Sequence, residues 1–281
     1  MTYGQVAGFF LDSCILLPHS LESTYESCSI FLKKAEKDCL ISSSIKKEAL
    51  DLSGEAYSVI CANLRSNLKP LLEKNGIKLI TNRDGKTLAK IFSEQKRQIG
   101  LLLPTRSNVR NELIGAIENY VANRVHALKD GVSIPVDDLL ASALTELEKA
   151  RYSIEKPFKT IKTVDIKPDD MITSMVLLKT LIINEKDIEH LASAITFQFQ
   201  QNKWVIFVTN DEKEILSKEK ELWEIFTLQC SKPSWALDNY QDMTKFKSPV
   251  EYYQELDHYS EKQIEFGVLA EKAMGVKIIK Q

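Results

Sequence analysis

The chain has 281 residues, with 37 Lys and Arg against 39 Asp and Glu, and its formal net charge is −2. A hydrophobic fraction of 44% is ordinary for a globular protein and excludes an intrinsically disordered chain. No apolar run reaches the roughly 18 residues of a membrane-spanning helix, so we expect no membrane partner. The residues after Met1 lack the basic segment of a signal peptide, and five Cys without a C-x-x-C pair predict neither a disulfide framework nor a zinc finger. We therefore expect a cytoplasmic protein.

The N-terminal segment contains two apolar runs that predict strands. Residues 5–16 are typical of a strand buried on both faces, with Asp12 near its C-terminal end. Residues 39–44 predict a second short strand that ends in serines, one of which caps the next helix. Glu48 then falls in the first turns of that helix.

The middle of the chain is predicted to be mostly helical. Residues 20–38 and 55–130 carry apolar positions at helical spacing, with one short strand at 77–80. A further helix is predicted over 139–152, and residues 153–170 are predicted to be irregular.

The C-terminal part returns to alternating helices and strands. The pattern over 185–202 predicts a helix with Asp187 in its first turn. Residues 204–209 predict a buried strand that ends just before Asp211, and 227–230 predict a last short strand. Strands that alternate with helices predict an α/β fold with a parallel sheet flanked by helices.

The charge is distributed unevenly along the chain. Residues 60–180 carry 20 Lys and Arg against 14 Asp and Glu, whereas the remainder carries 17 against 25. Two interpretations stay open for the basic stretch. It is either a solvated helix face or a basic attachment to an acidic core that holds a polyanionic substrate against a metal site.

Four acids are expected to converge at one edge of the sheet. Asp12 and Asp211 end strands, and Glu48 and Asp187 begin helices. Ligands of open α/β sheets bind beyond the C-terminal ends of the strands, which is where these acids fall. Because like charges repel, a shared site for four carboxylates indicates a divalent cation that prefers oxygen ligands, Mg²⁺ or Mn²⁺.

Four short segments carry these acids in a defined order. They are GFFLDSCIL at 8–16, SSSIKKEAL at 42–50, DIEHLASA at 187–194 and VIFVTND at 205–211. In this order, with 24 positions between Asp187 and Asp211, the sequence resembles the PIN-domain nucleases. The resemblance implies a PIN-like, Rossmann-like nuclease core formed by residues 1–60 and 180–281. The 139 positions between Glu48 and Asp187 exceed the gap of a minimal family member, so residues 60–180 are interpreted as a basic, mainly helical insertion.

The resemblance also implies an activity. PIN-domain nucleases are metal-dependent endoribonucleases that hydrolyse phosphodiester bonds, usually of single-stranded RNA. Carried onto this chain, four carboxylates would hold one or two Mg²⁺ or Mn²⁺ ions, namely those of Asp12, Glu48, Asp187 and Asp211. Three polar side chains, those of Ser13, Thr209 and Asn210, would orient a carboxylate or a metal-bound water. The alternative is a catalytically inactive PIN-like scaffold that binds RNA or a protein.

Several assignments within this set have alternatives. Asp51 is the alternative to Glu48 because it lies three positions further on the same helix face. Glu189 is the alternative to Asp187, and Asp211 could be the N-cap of the following helix.

Other side chains with a known chemistry fall into two groups. His190 is interpreted as a helix-packing or surface residue, and the Cys as small buried hydrophobes. Four basic residues in the middle of the chain are expected to contribute to RNA binding: Lys86, Lys90, Lys96 and Arg97. A protein partner or inhibitor and a homodimer stay open beside RNA.

Overall fold

The computed structural model describes residues 5–16, 23–103 and 107–279. The chain divides into two compact units. Unit 1 comprises Met1–Glu48 and Phe158–Gln281, and unit 2 comprises Ala49–Pro157. From the sequence we expected boundaries near residues 60 and 180, so the observed middle unit begins and ends earlier along the chain.

The described residues form short strands and mostly longer helices. In chain order the strands are β1 (Val6–Leu11), β2 (Cys39–Ser42), β3 (Leu79–Ile80), β4 (Ile134–Pro135), β5 (Lys162–Val164), β6 (Trp204–Val208) and β7 (Gln229–Ser231). The helices are α1 (Ser13–Leu16), α2 (Ser23–Ala35), α3 (Ser43–Asn63), α4 (Lys69–Lys74), α5 (Gly85–Leu102), α6 (Ser107–His126), α7 (Val136–Thr160), α8 (Pro168–Lys179), α9 (Glu185–Gln201), α10 (Glu219–Phe226), α11 (Pro233–Met243), α12 (Pro249–Gln254) and α13 (Glu261–Met274). A π-helical turn, Leu64–Leu68, lies between α3 and α4, and 3-10 turns cover Glu36–Asp38, Asn82–Asp84 and Leu216–Lys218.

Unit 1 is built on a five-stranded sheet in which every neighbouring pair of strands is parallel, in the order β5-β2-β1-β6-β7. The chain moves outward from β1 through β2 to β5, and then crosses to β6 and β7 on the other side of β1. This reversal places the topological switch point between β1 and β6, where ligands bind in open α/β sheets. The predicted α/β class with a parallel sheet is confirmed.

Aromatic contacts show which helices cover each face of the sheet. The ring of Phe9 lies 5.0 Å from that of Phe31 in α2 and 5.3 Å from that of Tyr240 in α11. The ring of Phe10 lies 6.3 Å from that of Phe197 in α9. Because successive side chains of a strand point to opposite faces, α2 and α11 cover one face and α9 covers the other. The predicted flanking helices are therefore present on both faces, and β1 is buried between them.

Gly8 allows β1 to approach the segment before β2. Its φ is +144°, and the register of β1 against β6 shifts between Val6 and Gly8. A Cβ atom at this position would lie 2.2 Å from the carbonyl oxygen of Asp38, and backbone atoms cannot move aside cheaply. Glycine is required here both by the positive φ and by this close approach.

Unit 2 is mainly helical. It contains α4, α5 and α6 together with most of α3 and α7, and its two short strands β3 and β4 pair antiparallel. None of the helices in the described part of the chain is long and apolar enough to cross a membrane.

Several elements differ from the sequence-based expectations. The first strand ends at Leu11, and the apolar residues after Asp12 form the short helix α1 instead of continuing the strand. Residues 153–170 are not irregular, because α7 continues through Pro157 to Thr160 and β5 follows. A strand of three residues at the edge of a sheet is too short to show an alternating pattern. The start of the helix predicted over 20–38 lies outside the described residues, and α2 is described from Ser23.

Candidate metal centre

Asp12 is the first residue after β1, and it is 4% exposed. Its backbone N–H donates to the carbonyl oxygen of Val208 at 3.0 Å, which extends the pairing of β1 with β6. Its Oδ2 accepts hydrogen bonds from the Thr209 hydroxyl at 2.6 Å and the Cys14 thiol at 3.1 Å, and its Oδ1 accepts from the Ser13 hydroxyl at 3.3 Å. These partners fix the direction of both carboxylate oxygens and reduce the cost of burying the charge. Ser13 and Thr209 thus lie where the sequence predicted them to support an acid.

Asn210 lies beside the same carboxylate but contacts sulfur instead. Its backbone N–H donates to Cys14 Sγ and its side-chain amide to Cys28 Sγ, both at 3.2 Å. Burial raises the pKa of Cys28, and burial together with the neighbouring carboxylate raises the pKa of Cys14. Both thiols therefore stay protonated at neutral pH, which agrees with the interpretation of the Cys as small hydrophobes and not as nucleophiles.

Asp211 follows β6 and closes a tight turn. Its Oδ1 accepts hydrogen bonds from the backbone N–H groups of Lys213 at 3.0 Å and Glu214 at 2.9 Å. Its own N–H donates to Thr209 Oγ1 at 3.0 Å. Asp211 therefore caps a turn, whereas the alternative from the sequence was the N-cap of the following helix, and α10 begins only at Glu219. The turn brings Glu214 back so that its Oε2 accepts from the N–H of Asn184 at 3.3 Å.

Helix α9 carries Asp187 and His190 three positions apart. The side chain of Asn184 caps the helix by accepting from the N–H of Lys186 at 3.3 Å. The helix runs over Glu185–Gln201, close to the predicted 185–202. Residues at i and i+3 lie on one face of a helix, so both side chains point to the same side. Asp187 is half-buried, and His190 is 4% exposed.

Five of these side chains form two overlapping groups. In the first group, ligand atoms of Asp12, Asp187 and His190 lie within 4.8 Å of one another. In the second group, carboxylate oxygens of Asp187, Asp211 and Glu214 meet the same limit. Asp187 belongs to both groups. The chain therefore gathers residues from three distant segments at the switch point between β1 and β6.

The electrostatics of the cluster are unfavourable without a cation. The pKa of Asp187 is raised from 3.8 to about 7, first by burial and then by the negative charges of Asp12, Asp211 and Glu214. Like charges at this separation disfavour the ionised form. A divalent cation would remove the repulsion, and the donor set of carboxylate oxygens and one imidazole nitrogen fits Mg²⁺, Mn²⁺ or a similar ion.

Glu48 lies behind His190 and belongs to neither group. Its Oε2 is 3.5 Å from His190 Nε2, and its Oε1 accepts from Lys186 Nζ at 3.1 Å. The side chain is 24% exposed. Of the four predicted acids, the structure therefore brings three together, and it places the fourth against the imidazole and a lysine.

Neither sequence-based alternative takes a place in the cluster. Asp51 is exposed and belongs to unit 2. Glu189 is half-buried beside His190 in the chain, but among the described residues it is in neither group.

His190 is a buried and neutral side chain with one unpaired nitrogen. Burial lowers its pKa, an effect that exceeds the opposing influence of Asp12 and Glu48, so the ring is neutral at pH 7. Within the described part of the chain, Nδ1 has no hydrogen-bond partner, and its nearest acid is Asp12 Oδ1 at 3.9 Å. The interpretation of His190 as a packing or surface residue therefore leaves this nitrogen unexplained.

The sequence-based set missed His190 and Glu214 for the same reason. Each lies three positions after a predicted acid, His190 after Asp187 and Glu214 after Asp211. That spacing returns a side chain to the same side of a helix or turn, and it is the signal that could have identified both.

The four basic residues expected to bind RNA lie on α5 in unit 2, and all four are exposed. Lys96 Nζ is 3.5 Å from Glu118, and Arg97 pairs with Glu94 at 2.7 Å. Within the described residues, no ion pair is found for Lys86 or Lys90. The positive charge available on this helix is therefore smaller than the sequence count suggests.

The chain was also compared with known proteins. No protein-family model, no curated protein and no solved structure matches it.

Proposed function

We propose that unit 1 is a PIN-like nuclease core and that the protein is a metal-dependent endoribonuclease acting on single-stranded RNA. The observation that carries the proposal is the convergence of Asp12, Asp187, Asp211 and Glu214 at the switch point of a parallel sheet. Such a position is where open α/β sheets bind their ligands. The cofactor in this proposal is Mg²⁺ or Mn²⁺.

The residues of the cluster have distinct parts in this proposal. Asp12 is held by three side-chain donors, so it offers oxygens of fixed direction without reorganising. Asp187 is shared by both groups, and burial and its acidic neighbours raise its pKa, so a cation would favour its ionised form. A bound divalent ion would lower the pKa of water and offset the negative charge of the scissile phosphate.

Asp211 and Glu214 complete the oxygen-rich side of the cluster. Backbone N–H groups hold Asp211, and Glu214 reaches the N-terminus of α9 through Asn184. The arrangement ties the end of β6 to the start of α9, so the acids from both segments keep a fixed separation. Preorganised charge of this kind is effective because it costs no rearrangement during the reaction.

One observation favours the scaffold alternative. Glu48, the fourth acid implied by the resemblance, is paired with Lys186 at 3.1 Å and is outside both groups. An inactive PIN-like scaffold would tolerate that loss, whereas an enzyme would need the remaining acids to suffice. Hydrolysis of RNA decides between the two.

A matched pair of variants tests the proposal. Asp12→Asn keeps a side-chain oxygen for the Thr209 hydroxyl but removes the charge, whereas Asp242→Asn changes an exposed acid outside the cluster. We expect Mn²⁺ at about 100 times its Kd to stabilise the wild type by about 2.7 kcal/mol, a rise of roughly 5–10 °C in Tm. Asp242→Asn should respond like the wild type, and Asp12→Asn should not respond.

Cleavage of a labelled single-stranded RNA supplies the second measurement. We expect Mn²⁺- or Mg²⁺-dependent cleavage by the wild type and by Asp242→Asn, and cleavage at the EDTA background by Asp12→Asn. Metal binding without any cleavage would favour the scaffold. Equal metal responses of the wild type and Asp12→Asn would show that the site is assigned wrongly.

A further inference from the structure

We propose that His190 Nδ1 is a ligand of the cation, so that the half of the site formed by Asp12, Asp187 and His190 selects Mn²⁺, Co²⁺ or Zn²⁺ over Mg²⁺. This inference rests on the metal site of the proposed function. It adds a nitrogen ligand and a selection against Mg²⁺ that the resemblance does not imply.

His190 Nδ1 is a buried nitrogen without a partner. His190 is 4% exposed, and its Nδ1 has no hydrogen-bond partner among the described residues. A buried polar atom without a partner costs about 1–3 kcal/mol, so such atoms need an explanation. This nitrogen is 3.9 Å from Asp12 Oδ1, too far for a hydrogen bond, and His190 belongs to the group that includes Asp12 and Asp187. A shared cation would satisfy the nitrogen and both carboxylates together.

Glu48 lies beside the other ring nitrogen of His190. Its Oε2 lies 3.5 Å from His190 Nε2, so the carboxylate favours the tautomer with the proton on Nε2 and the lone pair on Nδ1. Lys186 holds the other carboxylate oxygen at 3.1 Å. Imidazole ligands of metal ions are commonly oriented by a carboxylate in this way. Glu48, which is outside the acid groups, thereby acquires a role as a positioning residue.

The ligand atoms of the two groups favour different metal ions. Mg²⁺ prefers oxygen ligands, whereas imidazole suits Mn²⁺ weakly and Co²⁺ or Zn²⁺ more strongly. The second group, Asp187, Asp211 and Glu214, offers oxygens alone. The two halves of the cluster are therefore chemically different. A borderline metal is expected at the imidazole half, and the oxygen half is suited to Mg²⁺.

The competing explanation is that His190 is a charged residue which merely neutralises its acidic neighbours. A protonated ring would also donate from Nδ1, yet the acid oxygen facing that nitrogen, Asp12 Oδ1, is 3.9 Å away, too far for a hydrogen bond. The distances therefore favour a neutral ring whose Nδ1 lone pair is available to a ligand.

The test uses the full chain loaded with Mn²⁺ and measured by electron spin echo envelope modulation, which detects nitrogen bound to the ion. We expect ¹⁴N modulation in the wild type, and we expect it to change when the four His are labelled with ¹⁵N. His190→Gln should lose the signal and bind Mn²⁺ at least about 10-fold more weakly, while its affinity for Mg²⁺ changes less. Glu214→Gln, the control in the oxygen half, should keep the nitrogen signal.

The outcomes separate this inference from the proposed function. Bound Mn²⁺ without nitrogen modulation in the wild type would overturn the role of His190 and leave the carboxylate site intact. Failure of the wild type to bind Mn²⁺ at all would overturn both. Since the wild-type spectrum alone is decisive, the test does not depend on His190→Gln folding. A second variant, Glu48→Gln, should keep the nitrogen signal but weaken Mn²⁺ binding, because the positioning carboxylate loses its charge.

Discussion

Replacing Asp187 by Asn should stabilise the protein without metal and abolish its stabilisation by metal. Ligand atoms of Asp187 lie within 4.8 Å of those of Asp12 in one group and of those of Asp211 and Glu214 in the other. Burial and these three acids raise its pKa to about 7. Asn has nearly the same shape but carries no charge. The substitution therefore removes the repulsion and, with it, the ligand shared by both groups.

The magnitude follows from the separations. Two unit charges about 5 Å apart repel by about 1 kcal/mol in water and by about 3 kcal/mol at an effective dielectric constant near 20. The raised pKa of Asp187 corresponds to roughly 4 kcal/mol between its charged and neutral forms before screening is considered. Because the side chain is only half-buried, solvent screening reduces this figure, and the lost interaction with the N-terminus of α9 takes away about 0.3–1 kcal/mol more. We expect a net gain of about 1–2 kcal/mol, which is roughly 2–8 °C in Tm.

The gain should depend on pH in a defined direction. The pKa of Asp187 is higher in the folded state than its ordinary value of 3.8, so its contribution to stability is complete below pH 4 and is lost as the pH rises through 7. Asn does not titrate. The stability difference between Asp187→Asn and the wild type should therefore be small below pH 4, grow as the pH rises, and be complete near pH 8.

Thermal unfolding followed by circular dichroism, in EDTA and in Mn²⁺, checks both effects. Asp187→Asn should melt above the wild type in EDTA at pH 8 and below it in saturating Mn²⁺. Asp242→Asn, an exposed acid paired with Lys245, controls for loss of one charge elsewhere. If Asp187→Asn gains no stability in EDTA at pH 8, or keeps the full Mn²⁺ response, the reasoning about the cluster is wrong.

Two further predictions concern residues outside the cluster. Ile182 has a φ of +57° and is 89% exposed, so its backbone is strained and Ile182→Gly should stabilise the protein by about 1 kcal/mol in denaturant unfolding. The control Ile172→Gly, at an exposed position of α8, should destabilise the protein by about as much. A loss of stability in both variants would show that the backbone at Ile182 is not strained. Lys86 and Lys90 are exposed on α5 with no ion pair among the described residues, so their double Ala variant should reduce the slope of log K for RNA against log salt by up to about 1.4. The double Ala variant of the two salt-bridged basic residues of α5 should change it less, and an unchanged slope in the first variant would leave α5 as a solvated face.

The parts of the fold that the sequence predicted are those with long periodic patterns. Helix α9 was predicted to within one residue because its buried positions repeat at helical spacing over many turns. Strand β6, with five buried residues in a row, was equally clear. Strand β5 was missed because its three residues form a strand only through their pairing with β2. A local pattern cannot show a pairing partner that lies about 120 positions away in the chain.

The same distinction applies to the site. Asp12 and Asp211 could be placed from sequence because Asp12 directly follows β1, Asp211 lies in the segment just after β6, and parallel strands end at a common edge. Glu48 could not be placed, because the face that α3 presents depends on how the helix packs on the sheet. Its carboxylate meets an imidazole and a lysine in place of the other acids.

The cluster shows a conflict between stability and chemistry that the chain resolves only in part. Asp12 is compensated by hydroxyl and thiol donors, and Asp211 by backbone N–H groups. Among the described residues Asp187 has no comparable donors, and burial and neighbouring charges oppose its ionisation. The cost falls on the carboxylate that both groups share, beside an imidazole nitrogen for which the described part of the chain offers no hydrogen bond. In the proposed site, binding of a cation would relieve both deficits at once, so these two side chains would mark the binding position more specifically than the number of acids does.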